Sequence, residues 1–136
     1  MPQFSRRSRE RLDTCHPDLI RWADELIKHV DFTVLCGYRD QWAQQEAFRL
    51  NCTTKRWPYS KHNRLPSTAV DLAPYPVNWQ DKARFAYFAG YGIAIAERMG
   101  IVITWGADWN RNTYTIDERL IDMPHFELTT DEKKTA

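Results

Sequence analysis

Cysteine is scarce in this sequence and badly placed for pairing. Cys15, Cys36 and Cys52 make an odd number, and no two of them form a C-x-x-C. That argues against a disulfide framework and a cysteine zinc site, and leaves small buried thiols as the expectation. Charge of one sign is equally lacking: 19 Lys and Arg stand against 18 Asp and Glu, a net charge of +1. A near-neutral chain has no strong pull on nucleic acid or on a membrane surface. The one basic run, SRRSRE from Ser5 to Glu10, reads as a solvated helix face or a frayed end, and nucleic acid is not expected as a partner. No apolar stretch is long enough to span a bilayer, so no stable membrane association is expected. The opening residues hold no apolar h-region, so no secretory signal is read and synthesis in the cytosol is expected. Two common motifs are missing. There is no H-E-x-x-H, and the glycine pair Gly90 and Gly92 fails the G-x-G-x-x-G pattern because Ile95 holds its third position.

What is present suits one ordinary domain. The chain has 136 residues, 43% hydrophobic and 27% charged. A core of normal size is possible at that length, and the composition is that of a folded chain. The expected unit is residues 1–136, with 1–10 and 129–136 as loose termini. Pro17 suits a first helical turn, and Leu19, Trp22, Ala23, Leu26, Ile27 and Val30 recur at helical spacing, with Lys28 and His29 in the last turn. A buried strand follows at Phe32–Tyr38. Asp40 then caps a helix with Trp42, Ala43, Ala47 and Phe48 on one face. Residues 51–67 are turn-rich, and 68–74 read as a short strand. Asn78 is the expected cap of a long helix over 79–99, with Asp81 in its first turn and close packing as the reason for Gly90 and Gly92. A strand at 101–106, a polar loop and a last short strand at 124–128 complete the order, with Pro124 at that strand's edge. Helices and short strands without βαβ periodicity favour α+β, a small mainly antiparallel sheet flanked by helices.

Chemistry has few candidates. Of four histidines, His16 and His29 lie at the ends of the first predicted long helix, and His29 reads as a surface residue. His62 and His125 lie in turn-and-strand contexts, with Asp71 after the first and Asp122 three residues before the second. Two imidazoles and a carboxylate make a zinc-type ligand set that leaves a position for water, and a spare carboxylate could act as base. Strict strand geometry would put Asp122 and His125 on opposite faces, whereas a turn at Met123-Pro124 could bring them into one cleft. The other reading is two hydrogen-bonded loop histidines with Asp71 capping a turn.

The segments SKHNRLPSTAVDLAP and DMPHFEL resemble the two metal motifs of the D-alanyl-D-alanine carboxypeptidase and VanY-like peptidases, the M15 group that includes phage L-alanyl-D-glutamate endolysins. Ser60 and His62, Ala69 and Asp71, and Asp122 and His125 match in order. GYRDQWAQQEAF is similar to the group's arginine motif, and WGADW to a Trp-Gly-Gly-Asp-Trp stretch of its phage members. One departure is a spacer of eight residues, Asn63–Val70, where six is usual. Loops absorb such insertions cheaply, so a longer turn that still presents both side chains is expected.

The resemblance implies a Hedgehog/D-Ala-D-Ala peptidase-like fold and a Zn²⁺ ion held by His62, Asp71 and His125. It implies Asp122 as general base and Arg39 as oxyanion donor, or else as a partner for a carboxylate. Ser60, Asp108 and Trp109 become candidates for substrate contact, with turn or loop roles as alternatives for Ser60 and Asp108. The implied partner is bacterial peptidoglycan, cut in its stem peptide at the L-Ala–D-Glu bond by a monomer that leaves the host cytoplasm once a holin opens the membrane. Rival readings are a D-Ala-D-Ala carboxypeptidase or dipeptidase of the same fold, and a zinc-binding wall-binding module without turnover.

Overall fold

The computed structural model describes residues 2–129. Its elements run α1 (Arg6–Leu12), α2 (Pro17–Leu26), β1 (Phe32–Cys36), α3 (Gln41–Arg49), a single 3₁₀ turn (Lys61–Asn63), β2 (Ala69–Pro74), α4 (Lys82–Arg98), β3 (Ile103–Trp105) and β4 (His125–Leu128). The four strands form one sheet in the order β1-β2-β4-β3, with every neighbour antiparallel. The expected α+β class is the observed one.

Strand alternation divides the sheet's two faces between core and site. Val70 and Leu72 of β2, Phe126 of β4, and Ile103 and Trp105 of β3 belong to the hydrophobic core. Trp22 of α2 and Phe88 of α4 pack there against Phe126, at ring distances of 5.4 and 6.0 Å. Asp71, His125 and Glu127 occupy the alternate positions. The register sets Asp71 opposite His125. A register shift between Val34 and Cys36 bends the end of β1 just before Gly37 and Arg39.

Several sequence expectations need correction. Residues 1–10 are not wholly loose: Ser5 caps α1, and buried Ser8 accepts from the Val34 N–H and bonds Thr33 Oγ1. Arg11 also donates to the Val34 carbonyl, so α1 is fastened to β1 by polar contacts that no apolar periodicity announces. α2 stops at Leu26, and Lys28 and His29 lie in the turn beyond, paired with Glu25. α4 starts at Lys82 because Asp81 caps it, while Asn78 bonds the Gln80 N–H within a separate turn. Gly92 is closely packed, since an added Cβ would lie 3.1 Å from Trp22, but Gly90 faces open space. Cys15 is buried and its thiol is pushed up to about 12 by that burial, whereas Cys52 is exposed. Thr129 is buried, bonded through its N–H to Val102 O and through its hydroxyl to Thr104, so a loose tail does not begin there. Residues 130–136 lie outside the described range.

Candidate metal centre and active site

The spacer between His62 and Asp71 delivers both side chains. Ser60 caps the 3₁₀ turn, accepting the His62 N–H at 3.2 Å while Asn63 Oδ1 accepts the Ser60 N–H. The longer connection is secured at Ser67, whose N–H donates to Thr14 O and whose carbonyl accepts from His16. From there the chain enters β2 in register. His62 Nε2 and His125 Nδ1 then stand 3.2 and 3.3 Å from the same oxygen of Asp71, Oδ1. One ligand atom from each of the three residues falls within 4.8 Å of the others. Ligands about 2.1 Å from a tetrahedral ion sit about 3.4 Å apart, so the spacing suits a metal.

The remaining ring nitrogens are tied down. His62 Nδ1 faces the Gly37 carbonyl at 2.8 Å, which can only accept, so Nδ1 carries the proton and Nε2 is left for a ligand role. His125 Nε2 meets Glu127 Oε1 at 2.9 Å, and Lys61 Nζ donates to the other Glu127 oxygen at 2.5 Å. Such outer partners fix a ligand's orientation and tautomer. Burial disfavours a charged His62, yet the Asp71 carboxylate outweighs it and holds the imidazole up to about 10. Asp71 is held far below the usual carboxylate range: burial opposes this, but His125 and His62 dominate. Burial likewise opposes ionising Glu127, and His125 and Lys61 pull it down to about 2.

Asp122 reaches the same cleft by the turn at Met123-Pro124, closed by the His125 N–H on Asp122 O at 3.1 Å. Gly106 anchors both ends of that turn, donating to His125 O at 2.8 Å and accepting from the Asp122 N–H at 2.7 Å. Burial and the nearby Asp71 charge raise the Asp122 carboxyl, against the pull of His125, His62 and Arg39. A raised carboxyl is suited to taking and returning a proton near neutral pH. Arg39 enters from the β1–α3 junction with Nη2 3.7 Å from Asp71 Oδ2 and Nη1 donating to Gln44 Oε1 at 2.9 Å. Its own N–H donates to the His62 carbonyl at 2.7 Å.

These groups open onto a cavity of about 950 Å³. Ser60 and Trp109 line it, and the Trp109 ring packs 5.3 Å from that of His125. Asp108 is not brought to the cleft, because its carboxylate accepts the N–H groups of Asn112 and Thr113 and holds the β3–β4 loop. Trp105 is core, with its indole N–H on Met123 O.

Comparison with known proteins places the chain in a family. The family model for phage L-alanyl-D-glutamate peptidases matches residues 1–129. The chain belongs to that family. It is 29% identical over 134 residues to the L-alanyl-D-glutamate peptidase of Escherichia phage T5, covering 93% of this chain and 97% of that one. The crystal structure of the Serratia marcescens L-Ala D-Glu endopeptidase ChiX superposes with a TM-score of 0.71 at 32% identity, over 93% of this chain and 89% of that one. In this family member, no helix among the described residues is long and apolar enough to cross a membrane.

Glu127, two residues from His125 and hence on the same strand face, reads from the sequence as structural or cation-binding, and the cation it meets is Lys61. One partner escaped the sequence reading. Gln44 had no such signal. It is fully buried on the α3 face assigned to apolar residues, whereas Trp42 is 71% exposed. Gln44 Oε1 accepts from Arg39 and from Asn63 Nδ2, and its amide donates to Lys55 O at 2.6 Å.

Proposed function

We propose that this chain is a zinc-dependent peptidase of bacterial peptidoglycan that hydrolyses the L-Ala–D-Glu bond of the stem peptide. The observation that supports it most is the convergence of His62, Asp71 and His125 with Asp122 and Arg39 in one cleft. Two imidazole nitrogens and one carboxylate are a donor set that zinc takes with a position open for water. A bound ion there supplies Lewis-acid polarisation and a more acidic water. Asp122 accepts the proton of the attacking water and returns it to the leaving amine nitrogen. Arg39, held by Gln44, donates to the carbonyl oxygen as negative charge develops on it. Ser60 holds the 3₁₀ turn and with Trp109 borders the substrate. The enzyme works as a monomer and reaches the wall from the host cytoplasm after a holin opens the membrane.

Metal content and wall digestion test the assignment together. Wild type is expected to hold one zinc per chain and Asp71→Ala much less. Asp122→Asn should keep the zinc and lose about 10²–10⁴-fold in turnover, the usual worth of a general base. New amino-terminal glutamate among the products supports the L-Ala–D-Glu bond, whereas free D-alanine points to the carboxypeptidase reading. Full zinc in Asp71→Ala, or wild-type turnover in Asp122→Asn, would remove the corresponding role.

A further inference from the structure

The cleft is chemically lopsided. Among the described residues four cations line it: Arg39, Lys55, Lys61 and Arg64. Two are engaged, Arg39 with Gln44 and Asp71, and Lys61 with Glu127. Lys55 and Arg64 are exposed and meet no carboxylate among the described residues. Both belong to the segment from Asn51 to Arg64, whose other cleft residues include Thr53 and Thr54. The β3–β4 loop instead presents Trp109, Leu120 and Ile121. His62 belongs to the first segment and His125 packs on Trp109 of the second, so the metal ligands mark the border between a basic wall and an apolar one.

The basic wall is also fixed before substrate arrives. Gln44 holds the Lys55 carbonyl, and Asn63, next to Arg64, is bonded to Gln44 and to the Arg39 carbonyl. Cations on a backbone already held in place bind an anion with less ordering cost than cations on a free loop.

The substrate carries a matching asymmetry. On the alanine side of an L-Ala–D-Glu bond the nearest side chain is a methyl. On the leaving side, glutamate gives its nitrogen to the bond and carries two carboxyl groups. Chain extension consumes one, and the other is an anion a few bonds from the reacting nitrogen unless it is amidated. We infer that Lys55 and Arg64 form the subsite for that free carboxylate, and that they make the enzyme select glutamate over its amide. The inference rests on the L-Ala–D-Glu reading proposed above. It places the leaving half along Asn51–Arg64 and the alanyl half along Trp109, Leu120 and Ile121.

The test uses two synthetic stem peptides that differ only in carboxylate against carboxamide at that glutamate, cleaved by the zinc-loaded full chain. Wild type is expected to favour the carboxylate by about tenfold or more in kcat/KM, the value of one charge-assisted hydrogen bond. The double variant Lys55→Gln, Arg64→Gln should bring the ratio close to one through a higher KM for the carboxylate peptide. The charge-keeping double variant Lys55→Arg, Arg64→Lys should retain the preference. Equal cleavage of both peptides by wild type, or an undiminished preference in the glutamine variant, overturns the inference and leaves the L-Ala–D-Glu reading standing. If wild type cuts neither peptide and intact wall yields no new amino-terminal glutamate, that reading fails and the inference falls with it.

Discussion

Gln44 sits one turn into α3 with its amide bonded to Arg39, Asn63 and Lys55 and none of its surface in water. Truncating it removes one of the two acceptors of the Asn63 amide and the side-chain donor to the Lys55 carbonyl, and frees Arg39 from an orienting acceptor. Gln44→Ala is therefore expected to cost about 1–3 kcal/mol of stability. It should also cost about tenfold or more in kcat through lost orientation of Arg39, with zinc content unchanged. A thermal melt beside single-turnover kinetics checks both, and unaltered kcat would show that Arg39 needs no such support. At this scale the sequence was uneven. His62, Asp71, Asp122 and His125 were legible because histidine is scarce in this chain and the four fell in a recognisable order. Gln44 and Asn63 were not, because a buried amide is defined by partners distant in sequence, and nothing local distinguishes it from a solvated one. Asp108 stayed open between substrate contact and a loop role for a related reason: a loop carboxylate that bonds its own backbone looks the same in sequence as one facing a ligand.

Between elements, the connections decide whether the cleft exists. The turn from Asp122 to His125 leans on Gly106 so closely that an added Cβ would stand 2.2 Å from Asp122 O and 2.9 Å from His125 Cβ. Gly106→Ala must push that turn outward. A loss of about 1–3 kcal/mol from overpacking is expected, with about a hundredfold fall in activity as Asp122 shifts from its place. Gly90→Ala in α4 meets open space and should instead stabilise by about 0.5–1 kcal/mol. Comparing the two melts with wall digestion separates steric from general effects, and an active, stable Gly106→Ala would show that the turn can yield. The strands and long helices could be read because apolar periodicity specifies them. Their ends moved where a side-chain cap decided the matter, as Asp81 does for α4, and α1 stayed open between a solvated helix face and a frayed end because Ser8 and Arg11 fasten it by hydrogen bonds to β1.

For the molecule as a whole, the candidate metal centre couples folding to pH. Without metal, His62 is held up to about 10 by Asp71, so its contribution is complete below an ordinary imidazole value of about 6.5 and disappears as pH rises through about 10. Asp71 is depressed, so its contribution is present above its ordinary value of 3.8 and is lost as pH falls below it. Chelated protein should therefore melt highest between about pH 4 and 6.5 and decline on either side. Zinc needs neutral imidazoles, so the rise in Tm on adding zinc should grow from pH 6 to 8. Thermal scans with and without chelator across that range are the check, and a metal-free protein more stable at pH 8 than at pH 6 would exclude the imidazolium–carboxylate pairing. The register that sets Asp71 opposite His125 carries a separate consequence for how such chains can vary in length. Upstream of Ser67 the connection from His62 can gain residues, as this one has, because the bonds of Ser67 to Thr14 and His16 reset the chain before it enters the sheet. Downstream of Ser67 one inserted residue would turn Asp71 into the core and bring Val70 or Leu72 to the cleft. Drift in length is thus permitted on one side of a single serine and forbidden on the other.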